Sequence, residues 1–153
     1  MSGGNAGILN FYNSGVTFVK SKLTNMSAID AIINKLSQYP QLEFKVQDNK
    51  ISVNPLSFQG FVVWLSEADN KFTVGFDGWH QEFVSKDEAL NCFAFGLSDE
   101  CRLKVEKRGK LACSWTVEYM KGDEWIEDSK TGLIFVPFWK KKTIQYLTNP
   151  IVI

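Results

Sequence analysis

The only histidine in the chain is the residue best suited to acid–base chemistry. His80 lies in the stretch TVGFDGWHQEF, Thr73 to Phe83, with Glu82 two positions further on. An imidazole titrates close to neutral pH, so it can serve as a general acid, a general base or a ligand-binding group. A carboxylate beside it would favour its cationic form. Whether His80 belongs to such a site depends on which face of its strand it occupies.

The dipeptide Asp77-Gly78 fixes that face, because it is a strong signal for a two-residue hairpin turn. With this turn, Gly75 lies opposite His80. One face of the resulting three-stranded meander is apolar and must be the core side: Phe61, Val63, Leu65, Phe72, Val74, Phe76, Trp79 and Phe83. The other face carries Val62, Trp64, Ser66, Lys71, Thr73, Gly75, His80 and Glu82. His80 is therefore predicted to point away from the core.

Two interpretations of His80 follow from this position. In the first it is a solvent-facing strand residue. In the second, the missing side chain of Gly75 leaves a shallow gap beside it, and a small recess binds a ligand. The candidate ligand-binding residues are Trp64, Thr73, Gly75, His80 and Glu82. Acid–base catalysis by His80 is the least expected use, and we predict no catalytic residue.

Other reaction machinery is scarce in the sequence. There is no GxSxG, GxxxxGK[ST], GxGxxG or HExxH motif. Cys92, Cys101 and Cys113 form no CxxC pair, and one histidine is too few for a typical zinc site. The acids of residues 123–128 lack the spacing of a calcium loop and predict a solvated turn. We expect no metal and no cofactor, and an enzyme is the less favoured class.

Two segments predict amphipathic helices. In SAIDAIINKLSQYP, Ser27 and Asp30 resemble a capping box, and Pro40 ends the segment. In SKDEALNCFAFGLS, Ser85 and Glu88 form the standard capping pair. Cys92 and Phe95 lie roughly opposite the apolar stripe of this second helix, whereas a surface helix keeps its far side polar. The helix is therefore either sandwiched within the domain or contacts another subunit through these two residues.

Most of the remaining sequence alternates with the period of a strand. Two further hairpins are predicted at Leu42–Val53, with the turn at Asp48-Asn49, and at 101–120, with a three-residue loop at 107–109. In the latter, one core face is predicted to hold Cys101, Leu103, Val105, Leu111, Cys113, Trp115, Val117 and Tyr119. Further strands are predicted at 8–12, 16–20, 133–136 and 143–147.

This order predicts an α+β domain with mainly antiparallel sheet, built from hairpins and a meander with two helices. A chain of 153 residues is most simply one domain, residues 1–153. The order of hairpin, helix and hairpin occurs twice, which leaves a pseudo-repeat open, with halves at 1–56 and 57–153.

The segment GLIFVPFWKKK has three interpretations. It is a buried strand followed by a basic loop, or an exposed aromatic and basic edge, or a membrane-surface contact. In the second case Phe138 and Trp139 would stack on nucleic-acid bases or meet a partner, while lysines at 140–142 and the cations of 107–110 meet phosphates.

Composition adds weak constraints on function. The formal net charge is zero, but residues 1–100 sum to −4 and residues 101–153 to +4, which add to that zero. The N-terminal sequence lacks the features of a signal peptide, so a cytoplasmic protein without integral membrane association is expected. The favoured function is non-catalytic binding of a macromolecule, or self-association as a homodimer. The alternatives are a small-ligand domain or enzyme that uses the Trp64/His80 recess, and nucleic-acid binding by the C-terminal basic segments.

Overall fold

The computed structural model describes residues 26–149 and residue 151. In chain order the elements of this part are α1 (Ala28–Leu36), β1 (Phe44–Gln47), β2 (Lys50–Val53), β3 (Val63–Ala68), β4 (Lys71–Phe76), β5 (Trp79–Phe83), α2 (Lys86–Gly96), β6 (Cys101–Arg108), β7 (Leu111–Lys121), β8 (Glu124–Gly132) and β9 (Lys142–Thr148). The strands form two antiparallel sheets, sheet A in the order β1-β2-β3-β4-β5 and sheet B in the order β8-β7-β6-β9. The predicted α+β class with mainly antiparallel sheet is confirmed.

Both helices begin at the predicted caps. The side chain of Ser27 accepts a hydrogen bond from the backbone N–H of Asp30, and that of Ser85 accepts one from the N–H of Glu88. Each bond satisfies one of the N–H groups that the first turn of a helix leaves without a partner. The caps therefore fix where the buried face of each helix begins.

Sheet A has the register that the tight turns predict. Gly75 pairs with His80 and Thr73 with Glu82 across the Asp77-Gly78 turn. Asp77 has a φ of 52°, the left-handed conformation that this turn requires. Sheet A also pairs β2 with β3, so it runs across the boundary between the two predicted halves at 56 and 57.

The β6–β7 turn differs from the prediction. Arg108 pairs with Leu111, so the loop has two residues, Gly109-Lys110, and not the three of 107–109. Gly109 takes the left-handed conformation, with a φ of 61°. The different loop length shifts the strand pairing along the hairpin.

A β-bulge opposite Glu106 and Lys107 largely restores the predicted faces. The bulge adds one residue to β7, and the side chains of β7 switch faces at this point. This switch cancels the change of face that the two-residue loop makes relative to the predicted three-residue loop. Val105 consequently pairs with Trp115 on the core side. Leu111 lies beyond the bulge and is 46% exposed, so its predicted core position is wrong.

Two predictions in the C-terminal third are also wrong. The acidic segment predicted as a solvated turn is largely β8, an edge strand. An edge strand tolerates polar residues on both faces, which hid the period-two signal. Conversely, residues 133–136 form no strand, and this run of apolar residues belongs to the loop between β8 and β9.

One continuous core joins the helices to both sheets. Its largest fully buried side chains include Trp79, Phe76 and Phe93. The indole Nε1 of Trp79 donates to Ser129 Oγ on β8 at 3.0 Å, which ties sheet A to sheet B. The buried residues of sheet B, such as Leu103 and Val117, belong to the same core.

The predicted strands at 8–12 and 16–20 lie outside the described residues. Among the helices in the part of the chain that the structure describes, none has the length and apolar character to cross a bilayer.

Candidate functional site

The five predicted recess residues lie together on one face of sheet A. Trp64 pairs with Gly75, Gly75 with His80, and Thr73 with Glu82, so the five occupy neighbouring positions on β3, β4 and β5. His80 is exposed on the side away from the core, as its parity predicts.

The side chains fill the gap that the sequence suggested. The Trp64 indole lies directly over Gly75, so the space left by the glycine holds the ring. The Lys50 ammonium group lies 4.1 Å from the centre of that ring, as a cation–π contact. Glu82 forms an ion pair with Lys71 at 3.0 Å. These contacts leave a ligand little room, and ligand binding by the five residues stays a prediction.

The buried cysteines are poorly placed for nucleophilic chemistry. Cys92 and Cys101 are fully buried, on the opposite side of sheet A from the exposed His80. Burial, together with the negative charge of Asp128, raises the pKa of the Cys92 thiol. The pKa of Cys101 is raised mainly by burial as well. Because the thiolate is the nucleophile, both shifts disfavour catalysis.

The two residues predicted as an interface on α2 lie inside the molecule. Cys92 is fully buried and Phe95 is nearly so, with the Phe95 ring centre 6.4 Å from that of Phe76. This packing favours the interpretation that α2 is sandwiched within the domain. Within the described residues, no group of three or more His, Cys, Asp or Glu side chains is placed to hold a metal ion.

The most unusual surface is the loop between β8 and β9. Ile134 is 91% exposed, Phe135 89%, Phe138 76% and Trp139 74%. Leaving large apolar side chains in water is costly, so contiguous groups of them mark interaction sites. We call residues 133–142, together with the neighbouring β6–β7 turn at 107–111, the aromatic–basic surface.

The β6–β7 turn holds this loop in place. Arg108 Nη1 donates to the carbonyl oxygens of Phe138 and Lys140 at 3.4 and 3.3 Å. The backbone N–H of Gly109 donates to the carbonyl of Lys141 at 3.0 Å, and that of Leu133 donates to the carbonyl of Cys113 at 2.8 Å. The loop is thus tied to sheet B through its backbone, which leaves its apolar side chains outside.

The charge of the aromatic–basic surface has one sign. Its cations are Lys107, Arg108, Lys110, Lys140, Lys141 and Lys142, and neither range contains an acid. The Glu106 carboxylate, just outside the surface, lies 3.4 Å from the Lys142 ammonium group and 3.8 Å from that of Lys130. On a chain of zero net charge, this concentration of lysine and arginine makes the charge of this surface locally positive.

Part of this surface is predictable from the sequence. Phe138 and Trp139 were predicted as candidate interface residues beside the basic segments, and both are exposed. Ile134 and Phe135 were not predicted, because a short apolar run indicates a buried strand unless the strand that precedes it is recognised. Recognition of β8 would have shown that residue 132 already ends a strand, which leaves the apolar run to a loop.

Comparisons with known proteins find no match among protein-family models, curated proteins or solved structures. Function is therefore inferred from the chemistry of the aromatic–basic surface.

Proposed function

We propose that this protein is a non-catalytic binding protein that engages a large partner, either a macromolecule or a membrane surface, through its aromatic–basic surface. The observation that carries the proposal is the exposure of Ile134, Phe135, Phe138 and Trp139, each at 74% or more. Removing four such side chains from water on a partner would supply much of the free energy of association. The surrounding cations would orient the partner and increase the rate of encounter.

The loop is suited to binding because its backbone is already fixed. The hydrogen bonds from Arg108 and Gly109 to the loop carbonyls hold Phe138 and Trp139 on a defined turn. A loop that is already ordered loses less conformational entropy when its partner arrives. The buried, protonated cysteines and the filled space at Gly75 give less support to a catalytic role.

The test compares three chains for partner retention from a native cell extract that contains soluble and membrane fractions. The loop variant carries Ile134→Ser, Phe135→Ser, Phe138→Ser and Trp139→Ser. The control variant carries Phe58→Ser and Val84→Ser, which also replace highly exposed apolar side chains, at 87% and 78%. Phe58 lies away from the loop. The carbonyl of its neighbour Gln59 accepts a hydrogen bond from the N–H of Thr148, which is at the other end of β9 from the loop.

We expect a partner that the original chain and the control variant retain and the loop variant does not. Once that partner is purified, its Kd for the loop variant should be at least about 100-fold weaker, the effect of losing about 3 kcal/mol of binding. Circular dichroism should show that all three chains keep the same fold. A partner that binds all three chains with equal affinity would place the binding function elsewhere on the molecule.

A further inference from the structure

We infer that the partner of the aromatic–basic surface is the surface of an anionic lipid bilayer. This inference rests on the proposed function and names the partner. The apolar side chains of the loop would enter the boundary between headgroups and acyl chains, while the lysines meet the headgroup phosphates and carboxylates. The protein would lie on the bilayer and not span it.

The arrangement of apolar and charged groups fits a lipid interface. Ile134 and Phe135 are the most exposed apolar side chains of the loop, and Trp139 follows four residues later with exposed lysines directly after it. Tryptophan favours the headgroup level of a bilayer, and aliphatic and phenyl side chains favour the region just beneath. Lysines that follow immediately would remain at the level of the anionic groups.

The type of cation also separates a lipid surface from a protein partner. On the aromatic–basic surface the four exposed cations are all lysines, at positions 110, 140, 141 and 142, and Lys142 is also paired with Glu106. The one arginine, Arg108, is half-buried, and its guanidinium group donates to loop carbonyls. Protein interfaces favour arginine and are depleted in lysine. Lysines act as point charges, which suits the diffuse negative charge of a membrane surface.

The geometry of the two rings disfavours single-stranded nucleic acid. Phe138 and Trp139 contact each other edge to face, with ring centres 5.5 Å apart and planes at 80°. Successive bases of one strand stack on rings that are presented separately as flat platforms. Here the edge of one ring covers part of the other, so the pair offers no two parallel platforms.

The experiment measures co-sedimentation of the full chain with vesicles. One set contains phosphatidylcholine and phosphatidylserine in equal amounts, and the other contains phosphatidylcholine alone. We expect binding to the anionic vesicles to be at least about tenfold tighter, and to weaken as salt is added. Lys140→Gln with Lys141→Gln should weaken it by about 30-fold. Lys45→Gln with Lys121→Gln makes the same charge change at exposed positions elsewhere and should have little effect.

The apolar contribution is measured with two further variants. Ile134→Ser with Phe135→Ser should weaken binding to the anionic vesicles by at least about tenfold. Vesicle binding should shift the tryptophan emission of the original chain to shorter wavelength. Trp139→Phe should lose that shift and still sediment with the vesicles. Binding of the original chain without an emission shift would contradict entry of Trp139 into the bilayer.

Each other outcome overturns the inference in a distinct way. Equal binding to both vesicle types, or to neither, excludes an anionic bilayer as the partner. Salt-dependent binding of a single-stranded oligonucleotide that Phe138→Ser with Trp139→Ser abolishes, without vesicle binding, would identify a nucleic acid. If vesicles fail to bind while the extract experiment yields a partner specific to the loop, the lipid inference is wrong and the proposed binding function stands.

Discussion

At the scale of single residues, the contact between Trp64 and Gly75 decides what the exposed face of sheet A can do. Trp64 lies on β3 opposite Gly75 of β4, and its indole covers the position where another residue would carry a Cβ. Lys50 of β2 then packs on the same ring. A tryptophan packed in this way shields the backbone of β4 from water at Gly75.

Gly75→Ala is therefore expected to destabilise the protein by about 1–3 kcal/mol, because the new methyl group would displace the indole from its place. Urea unfolding measures the effect. In a Trp64→Ala background the same substitution should cost much less, since the obstacle is gone, and the double-mutant cycle isolates the contact. Equal costs in both backgrounds would mean that the indole does not determine the effect.

The buried thiols allow a second prediction at this scale. Burial raises the pKa values of Cys92 and Cys101, so at pH 8 both remain protonated inside the core. A thiol reagent should modify them in the native chain at least about 100-fold more slowly than in the urea-unfolded chain, because reaction requires opening of the core. Thr143→Cys adds a cysteine at an exposed position, and its thiol should react about as fast in the native chain as in the unfolded chain. Rapid modification of Cys92 in the native chain would contradict its burial.

At the scale of elements, the sequence correctly predicted the Asp77-Gly78 turn and the caps of both helices. Asp77-Gly78 fixed the register of β4 and β5 because a two-residue loop pairs Phe76 with Trp79 and so sets every pair beyond them. β8 was not found because it lies at an edge of sheet B and carries polar residues on both faces. The exposed loop was predicted only in part, as one of three interpretations, because an apolar run shows that a segment avoids water and does not show which partner covers it.

The outer face of sheet B is stabilised by pairs of opposite charge across its strands. Arg102 pairs with Glu118 and lies over the rings of Trp125 and Tyr146, at 4.5 and 4.3 Å from their centres. Lys104 pairs with Glu127 at 2.8 Å. Glu118 is almost fully buried, and its pairing with the Arg102 guanidinium group offsets part of the cost of that burial.

Glu106 extends this pattern and makes stability depend on pH. Burial opposes ionisation of Glu106, but the charges of Lys130 and Lys142 outweigh it and lower its pKa below the usual 4.5. A carboxyl group whose pKa is lower in the folded state contributes stability above its unfolded pKa, and that contribution is lost as the pH falls through the folded value.

Glu106→Gln should accordingly lose less stability than the original chain when the pH is lowered from neutral to about 3. Urea unfolding at a series of pH values measures the difference. The variant that combines Lys130→Gln with Lys142→Gln should also lose less stability over this range, because it removes the charges that lower the Glu106 pKa and leaves the burial that raises it. Superimposable curves for all three chains would exclude this pairing as a source of pH dependence.

At the scale of the whole molecule, Asn149 joins three separate segments. Its side chain accepts from the Phe61 N–H at 3.1 Å and donates to the carbonyls of Phe61 and Gly96 at 2.9 and 3.1 Å. The end of β9 is thereby tied to the segment that enters β3 and to the end of α2. All of these groups are buried, so each depends on this side chain for its hydrogen bond.

Asn149→Ala should destabilise the protein by about 3 kcal/mol, because it leaves buried backbone groups without partners. Thermal and urea unfolding measure the loss. Asn54→Ala, at an exposed position, should change stability by no more than about 0.5 kcal/mol. A similarly small effect of Asn149→Ala would show that its three hydrogen bonds contribute little to holding these segments together.

The connection from β8 to β9 has a consequence for the tolerance of this fold to change. It joins opposite edges of sheet B, three strand spacings apart, a distance of roughly 14 Å. Nine residues, 133–141, cross that distance, and a chain of this length reaches roughly 30 Å. About half of the length of this segment is thus not needed to connect β8 to β9. Its tip can be shortened, lengthened or exchanged for another sequence while the strands on either side keep their pairing.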